Sequence, residues 1–441
     1  MKLTIQEIAK ITQGKVHGIS DIEINGVSTD SRSLEEGNLF IPLIAERDGH
    51  DFIADAVEAG ASAYLYTHGN PEITAIKVQD TMHALQSLAK YVRSNITGEV
   101  IGITGSVGKT STKDIVTSCV SATLPIHASK LSHNNEIGVP LTILSTRDFD
   151  YHVVLEMGAR GPGQIKKLCD IASPTIGIIT QISASHTEFF NDENEITKTK
   201  GELIESLPPS GTAILNGDDP RVRSLSSKTN AEVLLYGESN SDVTAMNIAF
   251  VDNFYPTFDV RTPWGNCNIK LNIPGRHNIS NALAAISCSL TLGVPLDSIA
   301  AALGEIVLSP MRMDLVELND GTLIINDSYN ANPASMSAAL ETVISAEREH
   351  KLAILGLMAE LGERSPKEHE EIGNIAKEAG IKVISVGVEE YGGVQVATWQ
   401  EALELVFDNN YLGGDSIILI KGSRIVELEK LVDAIVESTK S

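Results

Sequence analysis

Cysteine pairs at metal or redox spacing are missing from this chain. Its four cysteines, Cys119, Cys169, Cys267 and Cys288, lie far apart, which excludes a zinc half-site and a Cys-x-x-Cys redox motif. They read as reduced residues of cores or helices. Positive charge is also scarce. A formal net charge of −24 leaves no broad basic face for nucleic acid or for an anionic membrane surface, because either would need cations to neutralise phosphates. If the ligands are themselves anionic, the cations that hold them must be gathered locally. No apolar run approaches a membrane span in length, and no internal repeat or low-complexity tract is visible, so neither membrane insertion nor a repeat fold is expected. Residues 1–16 interleave Gln6, Glu7 and Lys10 with apolar positions, and Thr4 with Glu7 makes a capping box. That stretch reads as a helix start and not as a signal peptide, and the expected location is the cytoplasm.

With 441 residues the chain exceeds one ordinary core. Short apolar strands alternate with amphipathic stretches, the pattern of an α/β protein with parallel sheets covered by helices. Three blocks are expected, at 1–97, 98–309 and 310–441. The first has a strand over 39–43 and a helix over 52–59 that stops at Gly60. The second has buried-type strands at 153–155, 175–180 and 213–215, and an antiparallel appendage over 242–273 where Pro, Gly and Asn interrupt an alternating pattern. The third has strands at 323–325, 352–355, 383–386 and 417–420.

Chemistry is most concentrated at Thr104-Gly105-Ser106-Val107-Gly108-Lys109-Thr110-Ser111, which follows the apolar run 100–103 and leads into a helix-like segment. Strand, glycine loop and helix in that order make a phosphate cradle. Loop N–H groups and the helix start face phosphate oxygens, Lys109 reaches the β/γ-phosphates, and Thr110 can ligate Mg²⁺. ATP or a related triphosphate is implied. The glycine expected five positions before Gly108 is Ile103, and Gly105 supplies the early turn, so the loop is short.

In open α/β sheets ligands bind beyond the carboxyl ends of strands. Glu156 stands at such an end, where it could share a cation with Thr110 or simply be a solvated carboxylate. His186 follows the 178–180 strand and, taken alone, reads as structural. Asn278 and Asn281 share a helix face after Pro274-Gly275-Arg276-His277, where amides can read a purine edge or cap the helix. Asn326-Asp327-Ser328-Tyr329-Asn330-Ala331-Asn332-Pro333 is a denser polar set than a plain turn needs. Lys421-Gly422-Ser423-Arg424 follows another strand and is expected to open the last helix, as an anion site for carboxylate or phosphate.

Taken in order, these segments resemble the Mur ligases of peptidoglycan synthesis, nearly end to end. Val27-Ser28-Thr29-Asp30-Ser31-Arg32 and Asp48-Gly49-His50-Asp51-Phe52 are similar to the family's first domain, so Ser28, Thr29, Asp30, Ser31 and Arg32 are implied to hold the UDP part of the substrate. The shortened phosphate loop is a family trait, and Asn134-Asn135-Glu136-Ile137-Gly138-Val139-Pro140 and Leu155-Glu156-Met157-Gly158-Ala159 also match the central domain. Glu156 and His186 fall where the family places magnesium ligands. Lys200 matches the lysine that the family carbamylates, with Lys198 as the alternative. Thr187 stands where an apolar residue is common. The resemblance implies three domains, with a central P-loop-type parallel sheet and a C-terminal Rossmann-like domain.

In the third block, Ser328-Tyr329-Asn330-Ala331-Asn332-Pro333-Ala334-Ser335-Met336 and Leu357-Met358-Ala359-Glu360-Leu361-Gly362 resemble the member that adds a dipeptide. The Tyr-Ala-His-Thr-Pro and Asp-Asn-Pro-Arg strings of the sister enzyme that adds the third amino acid do not occur. The resemblance therefore implies an ATP- and Mg²⁺-dependent amide ligase, acting as a monomer on a UDP-linked muramoyl tripeptide and D-alanyl-D-alanine. Lys109, Glu156, His186 and Lys200 would be catalytic, with Thr110 joining the last three as metal ligands. Asn278, Asn281, Arg312 and Asp327 would hold adenine and ribose, and Tyr329, Asn330, Asn332, Lys421, Ser423 and Arg424 the acceptor. Rival readings are another Mur-type or folylpolyglutamate-type ligase, and a nucleotide-binding regulatory protein without activity. The latter predicts erosion of Glu156, His186 or Lys200, and all three are present.

Overall fold

The structure, a computed structural model, describes residues 3–129, 133–146, 148–183, 188, 190, 192–409 and 411–439. His186 lies outside the described residues. The first helix, α1 (Ile5–Thr12), has the expected capping box, with Thr4 Oγ1 accepting from Glu7 N and Glu7 Oε2 accepting from Thr4 N.

Besides a two-stranded antiparallel pair of Leu3–Thr4 with Glu23–Ile24, three larger sheets follow one another along the described residues. The N-terminal sheet contains β1 (Lys15–His17), β2 (Gly26–Ser28), β3 (Asn38–Phe40), β4 (Ala63–Tyr66) and β5 (Ala75–Lys77) in the order β1-β5-β4-β3-β2. All its pairings are parallel except that of β1 with β5. The helix α2 (Thr81–Asn95), capped by Asp80, carries the chain to the central sheet.

The central sheet has nine strands: β6 (Val100–Thr104), β7 (Ile126–Ala128), β8 (His152–Glu156), β9 (Ile176–Ile179), β10 (Thr212–Asn216), β11 (Glu232–Gly237), β12 (Val243–Val251), β13 (Tyr255–Thr262) and β14 (Gly265–Lys270). Their order is β14-β13-β12-β11-β10-β9-β6-β8-β7. β6, β9 and β10 are wholly buried runs rich in β-branched residues, as a parallel sheet covered on both faces requires. The antiparallel stretch expected over 242–273 is the β12–β13–β14 meander, which continues the sheet because β12 pairs parallel with β11.

The C-terminal sheet holds β15 (Asp314–Glu317), β16 (Leu323–Asn326), β17 (His350–Gly356), β18 (Lys382–Val386), β19 (Val394–Val396) and β20 (Ser416–Lys421), ordered β15-β16-β20-β17-β18-β19. Only β15 runs antiparallel to its neighbour. The architecture is thus α/β with three domains. One expectation fails here. Residues 421–424 do not open the last helix, since Arg424–Val426 forms a single 3-10 turn, Glu427 adopts a left-handed φ of 57°, and the helix Glu429–Ser438 begins after it. A turn that short gathers no helix-dipole anion site.

Among the described residues no helix is long and apolar enough to cross a membrane. One buried cluster runs without interruption from Leu39, Leu65 and Ile76 through Leu85, Leu88 and Val92 of α2 to Val139, Val153 and Leu168 of the central sheet's near face. The C-terminal sheet has its own cores on its two faces.

Candidate functional site

β6 delivers the chain into a tight loop before α3 (Lys109–Ser121), and two glycines there have no substitute. Gly105 has φ 153° and lies against Thr180 Oγ1, and Gly108 has φ 81° and lies against Asn281 Oδ1, so a Cβ at either would collide. Lys109 Nζ closes over the loop, donating to the carbonyls of Gly105 at 2.7 Å and Ser106 at 3.4 Å. Its burial holds the ammonium below the usual lysine range, with Glu156 and Glu360 opposing and Arg312 reinforcing that shift. Ser106 Oγ donates to Ser183 O, and Thr180 Oγ1 donates to Val107 O. The loop is thus fixed from β9's end as well as from α3.

The parallel pairing of β8 with β6 sets Glu156 opposite Ile103, beside the loop. Its carboxylate is buried, and Oε2 accepts from Thr110 Oγ1 at 2.7 Å while Oε1 accepts from Asn134 Nδ2 at 2.8 Å. Glu156 is therefore no solvated strand-end residue. Asn134 is a site residue that the sequence expectations do not include, and the doubled asparagine before Glu136 is the signal that marks it.

Lys200 projects from α6 (residues Glu193–Glu205; α4 is Gly138–Leu144 and α5 is Gln164–Ala172). It is 1% exposed, and its Nζ has no hydrogen-bond partner among the described residues. Burial, then the nearby Lys109 charge, push its ammonium down to about 7 against the opposing Glu156 and Glu202. Lys198, the alternative, is exposed. Lys200 is therefore the lysine of this pair that lies beside the phosphate loop. An amine so readily deprotonated, near oxygen donors from Thr110 and Glu156, makes a donor set that suits Mg²⁺ once it carries a carboxylate.

These groups open onto a cavity of about 1260 Å³ reached by all three domains. Ser106, Val107, Gly108, Lys109, Thr110, Ser111, Glu156 and Lys200 line it, with Asn278, Asn281, Arg312, Asp327, Tyr329, Asn330, Asn332, Lys421, Ser423 and Arg424. Ser28, Thr29, Asp30, Ser31 and Arg32 do not line it and sit at the carboxyl end of β2, where Asp30 caps a short turn and pairs with Arg32.

Asn278 and Asn281 stand on the first turns of α7 (His277–Thr291) and are joined to each other and to α3. Asn281 Nδ2 donates to Asn278 Oδ1, Asn278 Nδ2 to Pro274 O, and Thr112 Oγ1 to Asn281 Oδ1. From the C-terminal domain, the Arg312 guanidinium stacks 4.3 Å from the centre of the Tyr329 ring. Asp327 Oδ2 accepts from Lys421 Nζ at 2.5 Å and Oδ1 from Met313 N at 3.2 Å.

Three acceptor candidates are tied up in the fold. Lys421, 2% exposed, also donates to Asn330 O, so it positions this loop. Ser423 Oγ accepts from Ala359 N, and Asn332 caps α8 (Pro333–Ser345) through Ser335 N. A strand-end cation and hydroxyl resemble a ligand site in sequence, and burial turns them into scaffolding. Arg424 stays 56% exposed on its side chain, pairing with Glu429 at 2.8 Å.

Asp48, His50 and His68 form a second cluster of ligand-type groups in the N-terminal domain. His50 Nε2 accepts from Thr67 N, which leaves the proton on Nδ1 to donate to Asp48, so this is a closed hydrogen-bond set.

Comparison with known proteins agrees with this geometry. The family model "Mur ligase family, catalytic domain" matches residues 23–93, "Mur ligase middle domain" 103–289, and "Mur ligase, glutamate ligase domain" 311–437. The UDP-N-acetylmuramoyl-tripeptide–D-alanyl-D-alanine ligase of Escherichia coli is 34% identical, over 99% of both chains. That of Bacillus subtilis is 33% identical over the whole of both. Among solved structures, MurF from Acinetobacter baumannii superposes with a TM-score of 0.91 at 30% identity over 99% of both chains. A second Acinetobacter baumannii structure, named as a UDP-N-acetylmuramoylalanyl-D-glutamyl-2,6-diaminopimelate–D-alanyl-D-alanyl ligase, gives 0.89 at 30% identity over 99% of both chains. MurF from Thermotoga maritima in complex with ADP gives 0.84 at 26% identity over 94% of this chain and 98% of that one. With full-length relatives above 30% identity and three family models in sequence along it, the chain belongs to the Mur ligase family.

Proposed function

We propose that this protein joins D-alanyl-D-alanine to UDP-N-acetylmuramoyl-tripeptide, with ATP converted to ADP and phosphate, in the cytoplasmic synthesis of peptidoglycan precursor. The observation that carries this reading is one cavity in which a phosphate loop, the Thr110–Glu156 pair and the Asp327–Lys421 cluster meet. It does so in a chain whose full-length relatives bear the name of that ligase.

A free carboxylate is a poor electrophile, so amide formation needs activation. The terminal carboxylate of the tripeptide attacks the γ-phosphorus, ADP leaves, and an acyl phosphate forms. The dipeptide amine then attacks the acyl carbon and phosphate leaves with the former carboxylate oxygen. Lys109 and the loop amides stabilise charge on the transferring group. Thr110 and Glu156, with His186 and carbamylated Lys200, would hold Mg²⁺, which when bound withdraws charge from the phosphate oxygens. Carbamylation joins the neutral Lys200 amine to CO₂ and releases one proton. Support for it is the buried, unpartnered Nζ whose ammonium is pushed down to about 7.

Asn278 and Asn281, with Arg312 and Asp327, hold adenine and ribose between the central and C-terminal domains. Docking of the C-terminal domain then excludes water that would hydrolyse the acyl phosphate. Ser28, Thr29, Asp30, Ser31 and Arg32 hold the UDP end, outside the main cavity, so the peptide arm extends inward from the N-terminal domain. Tyr329, Asn330 and Arg424 face the acceptor, with Arg424 taking its carboxylate. Lys421, Ser423 and Asn332 keep that loop in place.

The test is product mass. Purified protein with ATP, D-alanyl-D-alanine and the UDP-linked tripeptide is expected to give ADP and the peptide lengthened by two residues. ADP release without the lengthened product would remove the reading.

A further inference from the structure

The cavity's cations are nearly all engaged. Lys109 donates to its own loop, Arg160 pairs with Glu360, Arg312 stacks on Tyr329, and Lys421 and Arg424 pair with Asp327 and Glu429. Lys167 differs. It lines the same cavity and is exposed, and its Nζ has neither an ion pair nor a hydrogen bond among the described residues. It stands on α5 one turn beyond Gln164, which also lines the cavity. Gln164 Oε1 is fixed by Arg160 N, which leaves the Nε2 donors of Gln164 available beside the Lys167 ammonium. Gln86, from α2 of the N-terminal domain, lines the cavity too and donates to Glu136 O. This wall is therefore where the N-terminal domain meets the cavity, away from the adenine-side residues of α7.

A donor peptide held by its UDP end at the N-terminal domain and by its reacting carboxylate at Lys109 must pass this wall, each extended residue covering roughly 3.3–3.6 Å. Such a peptide carries carboxylates besides the one that reacts, from its glutamyl residue and, where present, from diaminopimelate. In a chain of net charge −24, an unpaired ammonium beside an amide whose Nε2 donors are open is suited to such a group. We infer that Lys167, with Gln164, is a specificity-determining residue that binds a non-reacting carboxylate of the donor peptide. The inference rests on the proposed ligase activity and deepens it.

The experiment is steady-state kinetics of Lys167→Ala, Lys167→Gln and Lys167→Arg beside the unchanged protein, with each substrate varied in turn. Loss of one charged hydrogen bond is expected to raise KM for the tripeptide donor about ten-fold or more in the Ala and Gln variants. KM for ATP and for the dipeptide, and kcat at saturating donor, should stay within about two-fold, and Arg should restore most of the affinity. A second arm uses donors with the glutamyl carboxylate amidated, or with lysine in place of diaminopimelate. The unchanged protein should bind one of them more weakly than the parent donor, and Lys167→Ala should lose that preference, which identifies the carboxylate. An unchanged donor KM in Lys167→Ala, equal rises for all substrates, or a preference that survives the substitution for both donors would overturn the inference. Lack of ligation by the unchanged protein would instead count against the ligase reading itself.

Discussion

The two junctions of this molecule are built differently. Between the N-terminal and central domains the apolar core is continuous, with Leu85, Leu88 and Val92 of α2 in one cluster with Val139, Ile143 and Leu168. Arg93 adds donors to the carbonyls of Ala172 and Ser173. Between the central and C-terminal domains polar links stand out: Arg160 pairs with Glu360, and Glu188 N donates to Glu360 O. Phe254 from the β12–β13 turn enters the C-terminal core, and the neighbouring Tyr255 packs against it. An apolar junction of the first kind holds without ligand. One of the second kind loses little on opening, because water replaces its polar partners. The phosphate loop, Glu156 and Lys200 thus belong to the part with the continuous apolar core, and Arg312, Asp327 and Tyr329 to the part joined to it by polar links.

The contrast breaks most visibly if chemistry does not reside in the part with the continuous core. Lys109→Ala is expected to lower kcat on the order of 10²–10³-fold with an unchanged circular dichroism spectrum, since it removes charge stabilisation and no packing. Lys200→Ala should lose activity comparably, and added short carboxylates should restore part of it. Rescue absent here but present in Lys198→Ala would point to the wrong lysine.

Smaller effects separate the junctions themselves. Leu88→Ala should cost about 2–5 kcal/mol and lower a calorimetric transition shared by the N-terminal and central domains. Phe254→Ala should leave that transition in place, lower the one for the C-terminal domain, and raise KM for ATP. Equal displacement of both transitions would show that the junctions are alike. Arg160→Ala removes a pair whose arginine side chain is 68% exposed, so stability should change by less than about 1 kcal/mol. Its expected mark is a rise of a few-fold in KM for ATP, read by the same kinetics.

What the sequence made legible follows the range of the interactions involved. The phosphate loop is a local pattern, so Gly105, Gly108, Lys109 and Thr110 are legible in sequence, and the structure sets them in one strand–loop–helix turn. Glu156 was ambiguous alone, because its meaning depends on β8 lying beside β6, a pairing of residues about fifty positions apart. Burial sets Lys200 apart from Lys198, a difference that two lysines on one helix do not reveal in sequence. Lys421 and Ser423 suggest ligand contacts in sequence because strand-end polar groups usually face solvent, and here Asp327, Asn330 and Ala359 take them. The last helix starts later than expected because Glu427 adopts a left-handed conformation that composition does not announce. Lys167 has no signature in sequence, since what sets an exposed lysine apart is which of its neighbours are already paired.

The central claim is that the tripeptide carboxylate is activated by phosphorylation in this cavity, and isotope transfer tests it most directly. With the donor's reacting carboxylate labelled with ¹⁸O and with ATP and D-alanyl-D-alanine supplied, each phosphate released should carry one donor oxygen, in step with the amide formed. Phosphate free of donor oxygen while amide accumulates would contradict the acyl-phosphate route and the account built on it.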